Sequence, residues 1–280
     1  MVVEGHGEHR PQLRGPQEDS HWDQPPRREL APPGTVPRPT AHPPAAQPRH
    51  REVAREALWW EARHPGIKRL GTKRDVKRAF KWHFMRDEDV AEFGARLPAS
   101  LVGLAGMVIL IYCVMVFGWN GAPGEYMVFA AVARALHGSY TLPAPEVHDT
   151  VALSSKWLMD DGFLQEPLLV ARPWLAAQAM EDSMRETWGP DCVHEGKKEE
   201  EGQLGEEKLL WGLHVHLNDL EVRLPEPKCV KAVHILAQPE LQPGERVVRA
   251  KTAHEARGFF NFAATANPAL RPELAVMDHM

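Results

Sequence analysis

Hydrophobic and polar positions along this chain alternate with changing period, and the changes mark its elements. Residues 51–63, REVAREALWWEAR, repeat apolar positions at helical spacing and predict a short amphipathic helix. The stretch that follows, RHPGIKRLGTKRDVKRAFKWHF, is dense in Lys and Arg; its middle predicts a turn and then a strand, with Val76 and Phe80 among the apolar positions. Residues 87–96 open with acids, as a helix N-terminus does, because carboxylates are favoured there by the dipole.

Residues 97–124 contain no charged side chain. Periodicity leaves two readings of this run open. It is long enough for a transmembrane helix over about 101–121, which would make the chain a single-pass membrane protein. Alternatively, MVILIYCVMVF (107–117) is a buried strand, rich in β-branched and aromatic residues. A Gly- and Pro-rich turn, GWNGAPG, then opens a helix with Met127, Phe129, Ala130, Ala133 and Leu136 on one side. After a Pro-rich loop at 141–149, TVALSSKWLMDDGFLQEP reads as strand, acidic turn, strand. Residues 173–188 predict another helix and 197–207 a charged turn. Residues 208–228 predict a hairpin turning at Asn218 and Asp219. The chain beyond Pro239 carries few strong signals.

The first 50 residues hold 11 of the 25 prolines and few large apolar side chains, too few to offset the entropy of ordering. This predicts a disordered Pro-rich tail over 1–50, and His6, His9, His21, His42 and His50 are read as its solvated histidines. The net charge of −5 gives no global basic field, so positive charge for nucleic acid would have to be local. Cys113, Cys192 and Cys229 are too far apart for a zinc or redox motif and odd in number, which argues against a disulfide framework. No apolar core of signal-peptide length opens the sequence. These features favour an intracellular location, cytoplasmic or nuclear.

The chemistry is concentrated in Asp160 and Asp161. Adjacent carboxylates repel, and here they sit at a hairpin tip between the apolar flanks WLM and GFL. A divalent cation offsets that repulsion by taking hard oxygen ligands. A third carboxylate on a neighbouring strand, for which Asp75 is placed, would complete a site for two metals.

The same residues resemble the motifs of reverse transcriptases, most closely those of long-terminal-repeat retrotransposons and retroviruses. RDVKRAF (74–80) resembles the first catalytic motif, FGWNGAPGEYMVF (117–129) the second and LMDD (158–161) the third. KLLWG (208–212) resembles the hairpin that grips the primer end, and LPEPKCVKAV (224–233) the start of the thumb. The five follow in family order over about 65–237.

The resemblance implies an α+β polymerase palm, a small antiparallel sheet packed by helices. It spans 51–240 with truncated fingers, and 241–280 form a partial thumb or an unstructured segment. It implies an RNA-directed DNA polymerase using Mg²⁺ or Mn²⁺, with template-primer, deoxynucleotides and the rest of a retroelement polyprotein as partners. Asp75, Asp160 and Asp161 would be catalytic and, with the Val76 carbonyl, metal-binding. Phe80 would be the gate against a 2′-hydroxyl, and Phe117, Gly118 and Trp119 would shape the nucleotide pocket. Leu210, Trp211 and Gly212 would form the primer grip. Lys197 or Lys198 would either protonate the leaving pyrophosphate or be solvated. The chain departs from the family in its short stretch before the first motif and in Leu158, where an aromatic residue is usual. A non-catalytic palm remnant is the alternative that these departures raise.

Overall fold

The computed structural model describes residues 43–277 apart from 86, 91, 92, 117, 120 and 246. The expected disordered tail up to residue 42, with His6, His9, His21 and His42, lies outside the described residues, as does Phe117.

In chain order the elements are α1 (His50–Arg63), β1 (Arg69–Asp75), α2 (Asp87–Val90), β2 (Gly94–Pro98), β3 (Met107–Ile111), α3 (Ala122–Ser139), α4 (Pro145–His148), β4 (Lys156–Leu158), β5 (Asp161–Pro167), α5 (Arg172–Trp188), α6 (Glu195–Glu201), β6 (Glu207–Leu210), β7 (Leu213–His216), β8 (Glu221–Arg223), α7 (Glu226–Leu236), α8 (Ala250–Ala263) and α9 (Arg271–Met277). The fold class is α+β, with three small antiparallel sheets ordered β1-β5-β4, β2-β3 and β6-β7-β8.

Strand β5 lies between β1 and β4, and its alternation divides the interior. Leu164 joins a core with Tyr126, Ala130 and Ala133 of α3 and Ala176, Met180 and Met184 of α5. Phe163 points the other way, into a second core with Val53 of α1 and Leu210, Val215 and Leu217. Because β5 is buried on both faces, its polar residues are paired: Gln165 donates to the Val53 carbonyl at 2.7 Å and Glu166 pairs with Arg172 at 2.6 Å. Pro123 and Pro173 stand in the first turns of α3 and α5, where a missing N–H costs no helical bond. Small residues on the facing sides let these two helices approach one another.

Gly162 has no space for a side chain: a Cβ there would meet Met180 Cε at 2.3 Å and the Trp157 ring at 2.8 Å. The glycine after the acidic pair lets α5 pack directly against the start of β5.

Several expectations are corrected. Residues 94–98 form a strand rather than the end of a helix, because Gly94 and Pro98 bound a segment that pairs with β3. Strand β3 is not a buried strand; it belongs to an exposed two-stranded ribbon. The transmembrane reading of 101–121 fails, since this stretch supplies a 3-10 turn, β3 and a loop. No helix among the described residues is long and apolar enough to cross a membrane.

Residues 197–201 of the expected charged turn belong instead to α6, which His194 caps by accepting from the Lys197 amide. The hairpin at Asn218 and Asp219 is present, but a further turn at Trp211 and Gly212 precedes it. His50 is not a solvated tail residue. It is buried at the start of α1, with Nε2 2.9 Å from the Leu210 carbonyl.

Candidate active site

The β1–β5 ladder sets Asp75, the last residue of β1, directly opposite Asp161, the first of β5. Asp160 stands in the two-residue turn between Leu158 and Asp161, which are themselves a ladder pair. Met159, the first residue of that turn, has φ +54°, and Asp160 is not in the left-handed region. A two-residue hairpin needs such a residue to match the twist of its strands. Met159 takes that conformation although it is not a glycine, a local strain held by the surrounding ladder. The Val76 amide donates to the Asp160 carbonyl at 3.1 Å and the His194 amide to the Asp75 carbonyl at 3.0 Å, which ties the turn and α6 to the end of β1.

Burial raises the Asp160 carboxyl above its ordinary range, and the Asp161 charge adds to this. Burial likewise raises Asp161, with Asp75 adding and Lys73 and Lys197 opposing. Lys197 hydrogen-bonds Asp75 Oδ2, and this contact holds its ammonium above the ordinary lysine value. Tyr126 is fully buried, and burial raises its hydroxyl, with the charges of Asp160 and Asp75 adding.

Asp75 and Asp160 open onto a cleft of about 690 Å³ whose walls include Val76, Phe80, Phe93, Tyr112, Met115 and Lys197. Phe80 sits edge-on to Tyr126 at a centroid distance of 5.5 Å. Arg78 and Lys81 also line the cleft. Sequence reasoning did not single out these two cations, nor the ribbon's Phe93 and Tyr112. The basic spacing in RDVKRAFK was the available signal for the cations; nothing local marked the aromatics.

The remaining expected site residues divide. Val76 is buried in the core beneath the cleft. Trp119 packs on the same core and edge-on to Phe93 at 5.7 Å, and Gly118 is an exposed turn glycine with φ +89°. Neither is among the residues lining the cleft. Leu210 is fully buried, and Trp211 packs edge-on to His50 at 5.4 Å. Trp211 and Gly212 both have positive φ in the β6–β7 turn, and the Gly212 carbonyl accepts from Lys228 Nζ at 2.8 Å. Lys198 is an ion-pair partner of Glu181 at 2.8 Å.

The basic residues before the first motif are largely committed to the fold. Lys73 pairs with Glu201 at 2.6 Å and Arg74 with Glu181 at 2.7 Å. The donor set at the acidic tip has the hard-oxygen chemistry that suits Mg²⁺ or Mn²⁺. Among the described residues, no three His, Cys, Asp or Glu side chains stand ready-made around a metal position. A cation held by these carboxylates would need side-chain rearrangement, since Lys197 occupies Asp75.

No family model matches the chain, and none of the curated proteins matches it. Among solved structures it is similar to a foamy viral protease-reverse transcriptase determined in complex with double-stranded DNA. The TM-score is 0.51 and the identity 12%, over 85% of this chain and 34% of that one. The likeness is one of fold, and this chain spans about a third of that protein's length.

Proposed function

We propose that this chain carries a palm for template-directed nucleotidyl transfer of the reverse-transcriptase kind. The observation that carries the reading is the Asp75–Asp161 ladder pair with Asp160 in the adjoining turn, at the edge of a 690 Å³ cleft. The fold shared with a reverse transcriptase supports it, and the duplex bound by that protein supports a template-primer as the partner. Deoxynucleotides are the second substrate, and the chain belongs to a larger retroelement polyprotein.

Asp75, Asp160 and Asp161, with the Val76 carbonyl, would hold two Mg²⁺ or Mn²⁺ ions. Bound there, such ions would supply activation of a 3′-hydroxyl and neutralisation of the leaving pyrophosphate. The chain's own contribution is position and charge. Arg78 and Lys81 offer positive charge to a triphosphate in the cleft. Phe80 offers a ring edge on which a 2′-hydroxyl would collide. The β6–β7 turn at Trp211 and Gly212 would hold the primer strand, with Leu210 buried beneath it.

A second reading, a palm that binds nucleic acid without catalysis, is favoured by the Lys197 ammonium on Asp75. Primer extension on an RNA template separates the two. The catalytic reading expects Mn²⁺- or Mg²⁺-dependent extension that Asp160→Asn abolishes. Duplex binding without extension would support the remnant, and absence of both would sink the palm reading.

A further inference from the structure

The β2–β3 ribbon exposes a run of apolar side chains that the site above does not use. Its hydrogen-bond phase is fixed at both ends. The Tyr112 amide donates to the Phe93 carbonyl at 3.2 Å, and the Ala99 amide to the Gly106 carbonyl at 2.9 Å. Antiparallel pairs alternate between bonded and non-bonded, so Ala95 with Leu110 and Leu97 with Val108 are the bonded pairs between those ends. The backbone groups of Gly94, Arg96 and Pro98 therefore point out from the far edge of β2. Those of Met107, Ile109 and Ile111 point out from the far edge of β3.

The two edges differ. The edge of β2 carries a charge at Arg96 and lacks an N–H at Pro98, both devices that block a further strand. The edge of β3 carries neither, and among the described residues no strand pairs with it over 107–111. Its side chains are open to water, with Met107 64%, Ile109 65% and Ile111 51% exposed. The same edge already acts as a ladder where the chain continues. Met85 donates to the Cys113 carbonyl at 2.9 Å, and Met115 donates to the His83 carbonyl at 3.0 Å.

We propose that two copies of this chain associate through antiparallel pairing of their β3 edges about a two-fold axis at Ile109. The register follows from the phase. Ile109 faces Ile109 of the second copy, and Met107 faces Ile111 of the second copy. That makes three bonded pairs, each exchanging two N–H···O bonds. Self-pairing sets like against like, so it demands a strand without charge, and none occurs from residue 97 to 124. The segment His83–Met85 already occupies the edge beyond Tyr112, which confines the seam to the five residues of β3. Met107, Ile109 and Ile111 are exposed apolar side chains that this pairing brings against their symmetry mates.

Sedimentation velocity of the full chain over a range of concentrations tests this. The expected result is a monomer–dimer equilibrium. Ile109→Lys, which puts charge against charge, and Ile109→Pro, which removes only an outward N–H, should each weaken it by roughly tenfold or more. In a Cys113→Ser, Cys229→Ser background, Ile109→Cys should form a disulfide-linked dimer across the axis, since bonded antiparallel pairs lie about 5.5 Å apart. Val108→Cys should not. A chain that is monomeric throughout would overturn the proposal. So would a dimer unaffected by both substitutions, cross-linking equal at 108 and 109, or a monomer that instead binds lipid vesicles.

Discussion

Asp75 and Asp161 are ladder partners across β1 and β5, and the Lys197 side chain from α6 sits on the first of them. The ammonium takes the place that a cation bound by Asp75 would need. Replacing it should therefore strengthen metal binding while costing the metal-free chain little, since Lys197 is partly exposed. Lys197→Met is expected to enlarge the thermal shift produced by a fixed Mn²⁺ concentration. A shift equal to that of the unmodified chain would mean that lysine and cation do not compete.

Glu181 gathers Arg74 at 2.7 Å, Lys198 at 2.8 Å and Arg185 at 3.0 Å. Although burial opposes ionisation, the hydrogen bonds from Lys198 and Arg74 hold its carboxyl below the ordinary value. Lys198 and Arg185 can return to water, but Arg74 is buried. Glu181→Ala leaves that guanidinium without its counter-charge and should destabilise the chain by about 3 kcal/mol. Chemical denaturation measures this, and a loss well under 1 kcal/mol would show that Thr72 and the Gly202 carbonyl suffice for Arg74.

The contact between Gly162 and the Trp157 ring predicts a steric penalty next to the acidic turn. Gly162→Ala should lower stability by roughly 1–3 kcal/mol, because the ring cannot retreat as the Met180 methyl can. Thermal denaturation would record it. Measured against Met180→Ala alone, Gly162→Ala should still lower stability, and no loss in that background would identify the methionine as the sole obstacle.

Two buried histidines make the fold sensitive to mild acid. His83 Nε2 accepts from the Trp188 indole at 3.3 Å, and His137 Nε2 meets the Ala176 carbonyl at 3.1 Å. Burial lowers each from 6.5 to about 4. Both are neutral in the folded chain, whereas the unfolded chain takes up protons below 6.5. Their stabilisation is thus complete above pH 6.5, falls as pH drops toward 4, and is gone below it. Each group contributes on the order of 3 kcal/mol to that loss. Urea unfolding between pH 7.5 and 4 should show the decline. His137→Phe should remove about half of it, His83 still contributing, and an unchanged slope would mean that His137 is protonated without unfolding.

What the sequence determined by itself is what lies within one element or one turn. The apolar spacing of 51–63, 122–139 and 172–188 is enough for α1, α3 and α5, because each face repeats within a few residues. The acidic hairpin is equally local: two short strands around Asp160 and Asp161, with Gly162 after them. Asp75 could be named from its motif, and the ladder sets it opposite Asp161. Tertiary structure decided the rest. The uncharged run from 97 to 124 suits a span or a core strand equally well by pattern, and it is neither. Only the pairing of β3 with β2 and the lack of a covering layer make it a ribbon. His50 looked like the end of a polar tail, but its carbonyl partner is 160 residues away. Lys197 meets Asp75 across 122 residues, and Arg74 meets Glu181 across 107. Such contacts follow from how strands and helices stack. Hydrophobic period records which face an element buries, but not which distant charge will lie against it.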